Sequence, residues 1–179
     1  MNKQDEKKFL EKLKKAGDST NYETSWDEKG LPISKKKTKI KSGRLAKAKG
    51  ARFELKVRRD LEDKGRFVDK WSNNIDLEEN KLIIAKRKYN PFSKVMTIGT
   101  GFPDFISFKR VYGESYSVIG VEVKINGILS KIEKEKCKWY LQNEVFSEIW
   151  IAKSKKNGRK IEIEYEDFHE KYMKQHNNQ

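Results

Sequence analysis

Three residues in two adjacent apolar segments have the types and spacing needed for metal-assisted chemistry. Asp104 follows Pro103 at the start of one segment, and Glu122 and Lys124 lie inside the next. Because the side chains of a strand alternate between its faces, Glu122 and Lys124 project from the same face. If the two strands are neighbours, the Asp104 and Glu122 carboxylates converge on one hard cation, with the Lys124 ammonium beside it. Such a cation polarises a phosphoryl group and lowers the pKa of bound water, which indicates phosphate chemistry.

A third carboxylate lies on a helix predicted upstream of these strands. Phe53, Val57 and Leu61 recur every four residues between residues 51 and 65 and predict the buried stripe of that helix. Glu54 lies close to Leu61 around the helix, so its carboxylate points toward the packed interior rather than open water. Burial of a charge is costly, which suggests that Glu54 has a function.

The residues of the two strands, Asp104, Glu122 and Lys124, also have an ordinary structural explanation. Glu122 and Lys124 could form a surface ion pair on an edge strand, and Asp104 could be a turn residue after Pro103. Short motifs carry a false-positive risk. The combination with Glu54 nevertheless favours a functional site.

Hydrophobic periodicity predicts the elements that position these residues. A helix is expected at residues 3–16, a basic arm without periodicity at 18–50, the Glu54 helix at 51–65 and another helix at 130–146. Strands are expected at 67–71, 81–86, 104–109, 116–124, 148–152 and 160–165. The charged segment Lys131 to Lys136 is interpreted as the solvated face of its helix. We therefore predict a basic N-terminal extension at residues 1–46, a catalytic domain at 47–170 and a polar tail at 171–179.

The charge balance favours a polyanionic partner. Forty-one Lys and Arg oppose 27 Asp and Glu, for a formal net charge of +14, and nucleic acid is the leading candidate. No apolar stretch approaches the roughly 20 residues needed to span a membrane, and no signal peptide is visible, so a cytoplasmic protein is expected. With a single cysteine, Cys137, and two histidines, His169 and His176, a zinc site of the Cys/His type is nearly excluded. Any metal must therefore bind through oxygen ligands.

Two basic clusters are candidates for contacts with nucleic acid. The first surrounds the start of the Glu54 helix and the second lies between two predicted strands. Their members are Lys47, Lys49, Arg52, Arg58 and Arg59, and then Lys86, Arg87 and Lys88. A charge run is often only a solvated face, and for the second cluster the two interpretations are evenly balanced.

Pro103-Asp104 followed by Glu122-x-Lys124 resembles the signature of the PD-(D/E)XK nuclease superfamily. The upstream segment from Lys49 to Glu54, with the sequence KGARFE, resembles the first motif of archaeal Holliday junction resolvases. The order of glutamate helix, Asp strand, Glu-x-Lys strand, helix and strand is also similar. The resemblance covers roughly residues 47–155, by the spacing of motifs rather than dense identity.

The resemblance implies an α/β fold with a restriction-endonuclease-like core, in which a mixed central sheet is flanked by helices. It makes Asp104 and Glu122 ligands of Mg²⁺, with Mn²⁺ as a possible substitute, and Glu54 an additional acid near the metal. Lys124 would orient the attacking water in phosphodiester hydrolysis. The segment 71–100 departs from the resolvases, which carry a short strand and a mobile serine loop there. Ser72 or Ser93 could correspond to that serine.

The sequence therefore predicts a metal-dependent DNA endonuclease, resembling a Holliday junction resolvase, that needs no small-molecule cofactor. Its expected partners are branched or duplex DNA and a second copy of the chain, because a junction is two-fold symmetric and requires paired incisions. Three alternatives stay open. The nuclease could act on flaps, single strands, restriction sites or damaged DNA, or the chain could be a non-catalytic nucleic-acid-binding protein. It could also be a basic protein that is ribosome-associated or processes RNA, since charge alone does not distinguish DNA from RNA.

Overall fold

The computed structural model describes residues 3–91, 94–98, 101–158 and 160–174. The chain divides into two compact units, Met1–Ala51 and Arg52–Gln179, and helix α2 contributes residues to both. The described helices are α1 (Lys3–Gly17), α2 (Lys37–Asp63), α3 (Lys131–Gln142) and α4 (Phe168–Tyr172). The described strands are β1 (Tyr22–Trp26), β2 (Pro32–Lys36), β3 (Phe67–Lys70), β4 (Asn74–Asp76), β5 (Lys81–Ile83), β6 (Arg87–Asn90), β7 (Val95–Ile98), β8 (Phe105–Tyr112), β9 (Ser115–Val123), β10 (Glu148–Asn157) and β11 (Lys160–Asp167).

A five-stranded mixed sheet forms the centre of the second unit, in the order β11-β10-β9-β8-β3. Strands β3, β8 and β9 pair antiparallel in sequence, and α3 connects β9 to its parallel neighbour β10. Strand β11 returns antiparallel to β10 at the edge. The α/β class and the mixed sheet that the resemblance implies are therefore confirmed.

Helices cover both faces of this sheet because its strands are apolar on both sides. On one face, the α2 residues Val57 and Leu61 cluster with Val121 of β9. On the other face, Tyr140 of α3 clusters with Ile151 of β10. All five side chains are fully buried. The strand alternation predicted for β9 is confirmed, because Val121 and Glu122 project from opposite faces.

The expected apolar stripe of the Glu54 helix is also confirmed, since the buried residues of α2 are Phe53, Val57 and Leu61. The helix begins much earlier than predicted, at Lys37 instead of Ala51. Its first half is exposed and rich in lysine, arginine and alanine, which have high intrinsic helix propensity. This segment becomes helical without an apolar stripe, so periodicity could not reveal it.

The prediction that residues 18–50 lack regular structure is therefore wrong. Besides the start of α2, this region contains the antiparallel hairpin of β1 and β2. Its turn is closed by Asp27, whose Oδ1 accepts the backbone N–H groups of Lys29 and Leu31 at 2.9 and 2.8 Å. Gly30 takes a φ of 70° in the same turn, a conformation that glycine adopts readily.

The segment 71–100 contains two small two-stranded sheets in place of the single predicted strand at 81–86. Strand β5 ends at Ile83 and pairs with β4, whereas β6 pairs with β7. Neither pair joins the central sheet.

Helix α3, which precedes β10, ends at Gln142, four residues before the predicted end. Within the described residues, no helix is both long and apolar enough to cross a membrane.

Candidate active site

Asp104 and Glu122 lie next to each other because β8 and β9 pair in antiparallel register, with Phe105 opposite Val121. The Asp104 backbone N–H donates to Glu122 Oε2 at 3.2 Å. In the reverse direction, the Val123 backbone N–H donates to Asp104 Oδ2 at 2.9 Å. Each carboxylate is thus fixed by the backbone of the opposite strand. The expectation that the two strands are neighbours is confirmed.

Burial makes the negative charge of this carboxylate pair costly. Glu122 is only 4% exposed, and burial together with the nearby charge of Asp104 raises the pKa of Glu122 to about 7. Burial also raises the pKa of Asp104, against the opposing hydrogen bond from the Val123 N–H and with a further contribution from the charge of Glu54. Two neighbouring carboxylates that are largely withheld from water resist simultaneous ionisation unless a cation neutralises them.

Lys124 follows β9 directly, and its ammonium contacts two acids. Its Nζ lies 2.9 Å from Glu122 Oε1 and 2.7 Å from Glu133 Oε1. Burial alone would lower the pKa of Lys124, but the hydrogen bonds to Glu122 and Glu133 outweigh it and raise that pKa above the ordinary lysine value. The ammonium therefore stays charged next to the carboxylate pair.

Glu54 lies on α2, close enough for its charge to raise the pKa of Asp104. Its side chain is one third exposed, and its Oε2 lies 3.1 Å from the Nζ of Lys70 on β3. The charge of Lys70 also acts on Asp104, whose pKa it lowers. The structure therefore brings all four predicted site residues, Glu54, Asp104, Glu122 and Lys124, into one electrostatic neighbourhood.

Two residues of this neighbourhood, Glu133 and Lys70, are absent from the sequence prediction. The interpretation of residues 131–136 as a solvated face is wrong for Glu133, which contacts Lys124, and for Lys136, whose Nζ donates to Asn74 Oδ1 at 2.7 Å. The sequence does contain a signal for Glu133. Ser130-x-x-Glu133 is a capping-box pattern, and such a glutamate is held at the first turn of its helix.

The donor set of this site is compatible with a hard divalent cation. Mg²⁺ keeps several waters and is bound by one or two carboxylates, and Asp104 and Glu122 supply two, with Glu54 as a further acid. Among the residues that the structure describes, no group of three or more Asp, Glu, His or Cys side chains is arranged to hold a metal ion. Burial raises the pKa of the Cys137 thiol, and His169 is exposed on α4.

Most of the residues that are predicted to contact nucleic acid have exposed side chains. Arg58 differs, because its Nε donates to Glu62 Oε1 at 2.9 Å and its Nη2 to the Val68 carbonyl at 3.0 Å. The exposed residues are Lys47, Lys49, Arg52, Arg59, Lys86, Arg87 and Lys88. In the first unit, a cavity of ≈ 500 Å³ is lined by Lys15, Lys35, Lys36 and Lys39 together with Tyr22, Ser34 and Ile40.

Two residues are candidates for the serine of the resolvases' mobile loop. Ser72 is half-buried next to Trp71, and Ser93 lies outside the described residues. His176 and most of the predicted polar tail also lie outside them. The tail is predicted to start at residue 171, but α4 extends to Tyr172.

Comparison of the chain with protein-family models, with curated proteins and with solved structures gives no match.

The raised pKa of Glu122 predicts an unusual dependence of stability on pH in metal-free protein. A carboxyl whose pKa is higher in the folded than in the unfolded state stabilises the fold below its unfolded pKa, and this contribution is lost as pH rises through the folded pKa. For Glu122 the loss falls between the ordinary glutamate value of 4.5 and about 7.

We expect the free energy of unfolding of the wild type, relative to Glu122→Gln, to fall as pH rises from 5 to 8. Urea unfolding with a chelator present measures both proteins at each pH. Parallel pH profiles for the two proteins would contradict the prediction. Glu114→Gln is a suitable control, because Glu114 is exposed in the β8–β9 turn.

Proposed function

We propose that this chain is a magnesium-dependent DNA endonuclease with a restriction-endonuclease-like core, resembling a Holliday junction resolvase. The observation that carries the proposal is the backbone-fixed pair of half-buried Asp104 and buried Glu122, with the Lys124 ammonium in contact with Glu122. A close pair of like charges that is largely withheld from water is unfavourable for stability alone. Its presence is therefore more simply explained by a cationic ligand.

The order of elements supports the same proposal. Glu54 lies on α2, Asp104 directly precedes β8 and Glu122 lies on β9, which α3 connects to β10. This is the order of glutamate helix, Asp strand, Glu-x-Lys strand, helix and strand that the resemblance implies. The three antiparallel strands and the parallel fourth strand form one continuous sheet. Asp104 and Glu122 lie next to each other in it, and the charge of Glu54 acts on Asp104.

Each residue of the candidate site would have a distinct role in phosphodiester hydrolysis. Asp104 and Glu122 would hold Mg²⁺ or Mn²⁺, with Glu54 as an additional acid. When bound, the cation supplies Lewis acidity toward the scissile phosphate and lowers the pKa of coordinated water. Lys124 can orient the attacking water or offset the charge that develops on the phosphate. Exposed basic residues such as Arg52 and Arg59 would bind neighbouring phosphates.

A test compares magnesium-dependent cleavage of four labelled DNAs: a four-way junction, a linear duplex, a flap and a single strand. We expect cleavage by the wild type, with preference for the junction, and none without a divalent cation. The substrate preference decides among nuclease types, and an RNA duplex tests selectivity for DNA. Tight binding without cleavage in either Mg²⁺ or Mn²⁺ would favour a non-catalytic binding protein.

Lys124→Ala is expected to slow cleavage by about 100-fold or more, since one positioned cationic group next to a reacting phosphate contributes on this scale. Binding of DNA, measured in calcium or without metal, should remain within a few-fold because the exposed basic residues are unchanged. A matched control is Lys155→Ala, which removes an exposed lysine on the same sheet. Equal cleavage by Lys124→Ala and wild type would contradict the assigned role.

A further inference from the structure

The Lys124 ammonium is held from two sides by acids on different elements. Glu122 comes from β9, and Glu133 comes from the first turn of α3. The Lys124–Glu133 contact of 2.7 Å is the shorter of the two. The side chains of Lys124 and Glu133 are only 28% and 24% exposed. A partly buried ion pair of this kind is screened less by salt than an exposed one.

Glu133 uses its two carboxylate oxygens for different partners. Its Oε2 accepts the backbone N–H of Ser130 at 2.7 Å, and its Oε1 accepts from Lys124. In return, Ser130 Oγ accepts the Glu133 N–H at 3.3 Å, which completes the capping box of α3. The capping box fixes the Glu133 rotamer, so the carboxylate oxygen that faces Lys124 is held in place by the helix terminus.

We propose that Glu133 is a positioning residue for Lys124 in the reaction inferred above, and this inference rests on that proposed function. If Glu122 were a metal ligand, the metal ion would share its negative charge, and its attraction for the Lys124 ammonium would weaken. Glu133 then remains in contact with Lys124 and keeps it beside the reacting phosphate. Groups that orient a functional side chain in this way commonly affect activity strongly.

The two roles of Glu133 can be separated by substitution. Glutamine at the third position of a helix also completes a capping box, so Glu133→Gln preserves the cap while removing the carboxylate charge that faces Lys124. Ser130→Ala has the opposite effect, because it removes the capping hydroxyl and keeps the carboxylate. If Glu133 served only the helix, Ser130→Ala would be the more damaging change.

We expect Glu133→Gln to lower kcat by about 10- to 100-fold, with KM for DNA and the melting temperature close to wild type. Ser130→Ala should lower the melting temperature with a smaller effect on kcat. If Glu133 acts through Lys124, Glu133→Gln should have no further effect in a Lys124→Ala background. Fully additive losses in the double variant, or an unchanged kcat in Glu133→Gln, would overturn the proposal.

A second measurement does not depend on activity. Nitrogen-15 NMR reports how fast the ammonium protons of Lys124 exchange with water in metal-free protein. We expect faster exchange in Glu133→Gln than in wild type or Ser130→Ala, because one of the two acceptors loses its charge. If the wild type cleaves no DNA, the proposed function fails, while the exchange rates still decide whether Glu133 holds Lys124. Equal rates in all three proteins would overturn that contact.

Discussion

Asp104→Asn is expected to abolish the proposed magnesium-dependent cleavage, with a loss of about 1000-fold or more in kcat, because it alters a proposed metal ligand that would stabilise the transition state by several kcal/mol. The substitution keeps the shape of the side chain, and its amide oxygen can still accept the Val123 N–H. Asp104→Asn should therefore fold. Glu122→Gln should lose activity to a similar extent, because Glu122 contacts both Asp104 and Lys124.

Metal binding distinguishes this explanation from a general structural defect. A ligand that binds only the folded state stabilises it, by about 2.7 kcal/mol at 100 times its dissociation constant. Titration of Mg²⁺ or Mn²⁺ should therefore raise the melting temperature of the wild type and of Glu114→Gln, but not that of Asp104→Asn. If Asp104→Asn retained cleavage, or if wild-type stability did not respond to either metal, the assignment of the metal ligands would be wrong.

Gly101→Ala is expected to destabilise the second unit by about 3 kcal/mol or more, since an added methyl group in a closely packed position forces the backbone to shift. A Cβ at Gly101 would lie 2.4 Å from the Trp71 carbonyl oxygen and 2.5 Å from that of Asn73. These are backbone atoms, which cannot rotate away. Two hydrogen bonds hold the same segments together, from the Phe102 N–H to the Asn73 carbonyl and from the Trp71 N–H to the Asp104 carbonyl.

The consequence extends to the candidate site, because Gly101 is three residues from Asp104. Gly101→Ala should therefore lose cleavage beyond what its unfolded fraction explains, which chemical unfolding and an assay at low temperature can separate. Gly43→Ala is the control. Among the described residues, and apart from its chain neighbours and the nearby backbone of its own helix, no atom lies within 4 Å of a Cβ at Gly43 on the exposed part of α2. Alanine there should stabilise the helix by roughly 0.5–1 kcal/mol. Wild-type stability of Gly101→Ala would refute the close approach.

Local sequence patterns predict two of the elements that carry the four site residues. The period-2 alternation of β9 indicates that Glu122 and Lys124 share a face, and the four-residue repeat of Phe53, Val57 and Leu61 predicts the helix that carries Glu54. Both patterns arise from burial of one side of an element, so they are readable without tertiary contacts. The same method fails for the lysine-rich half of α2, where no side is buried.

Contacts between elements distant in sequence are decided only by the tertiary structure. Residue types and local periods are sufficient to predict the basic character of the chain and the acids of the candidate site, and the resemblance of the motifs implies the class of fold. The roles of Glu133, Lys70 and Gly101 depend on the register of β8 with β9 and on the placement of α3 and β3. In the sequence alone, nothing distinguishes this capping glutamate, this exposed lysine and this loop glycine from others of their kind. They acquire a role only when packing brings Lys124, Glu54 and the Trp71 backbone against them.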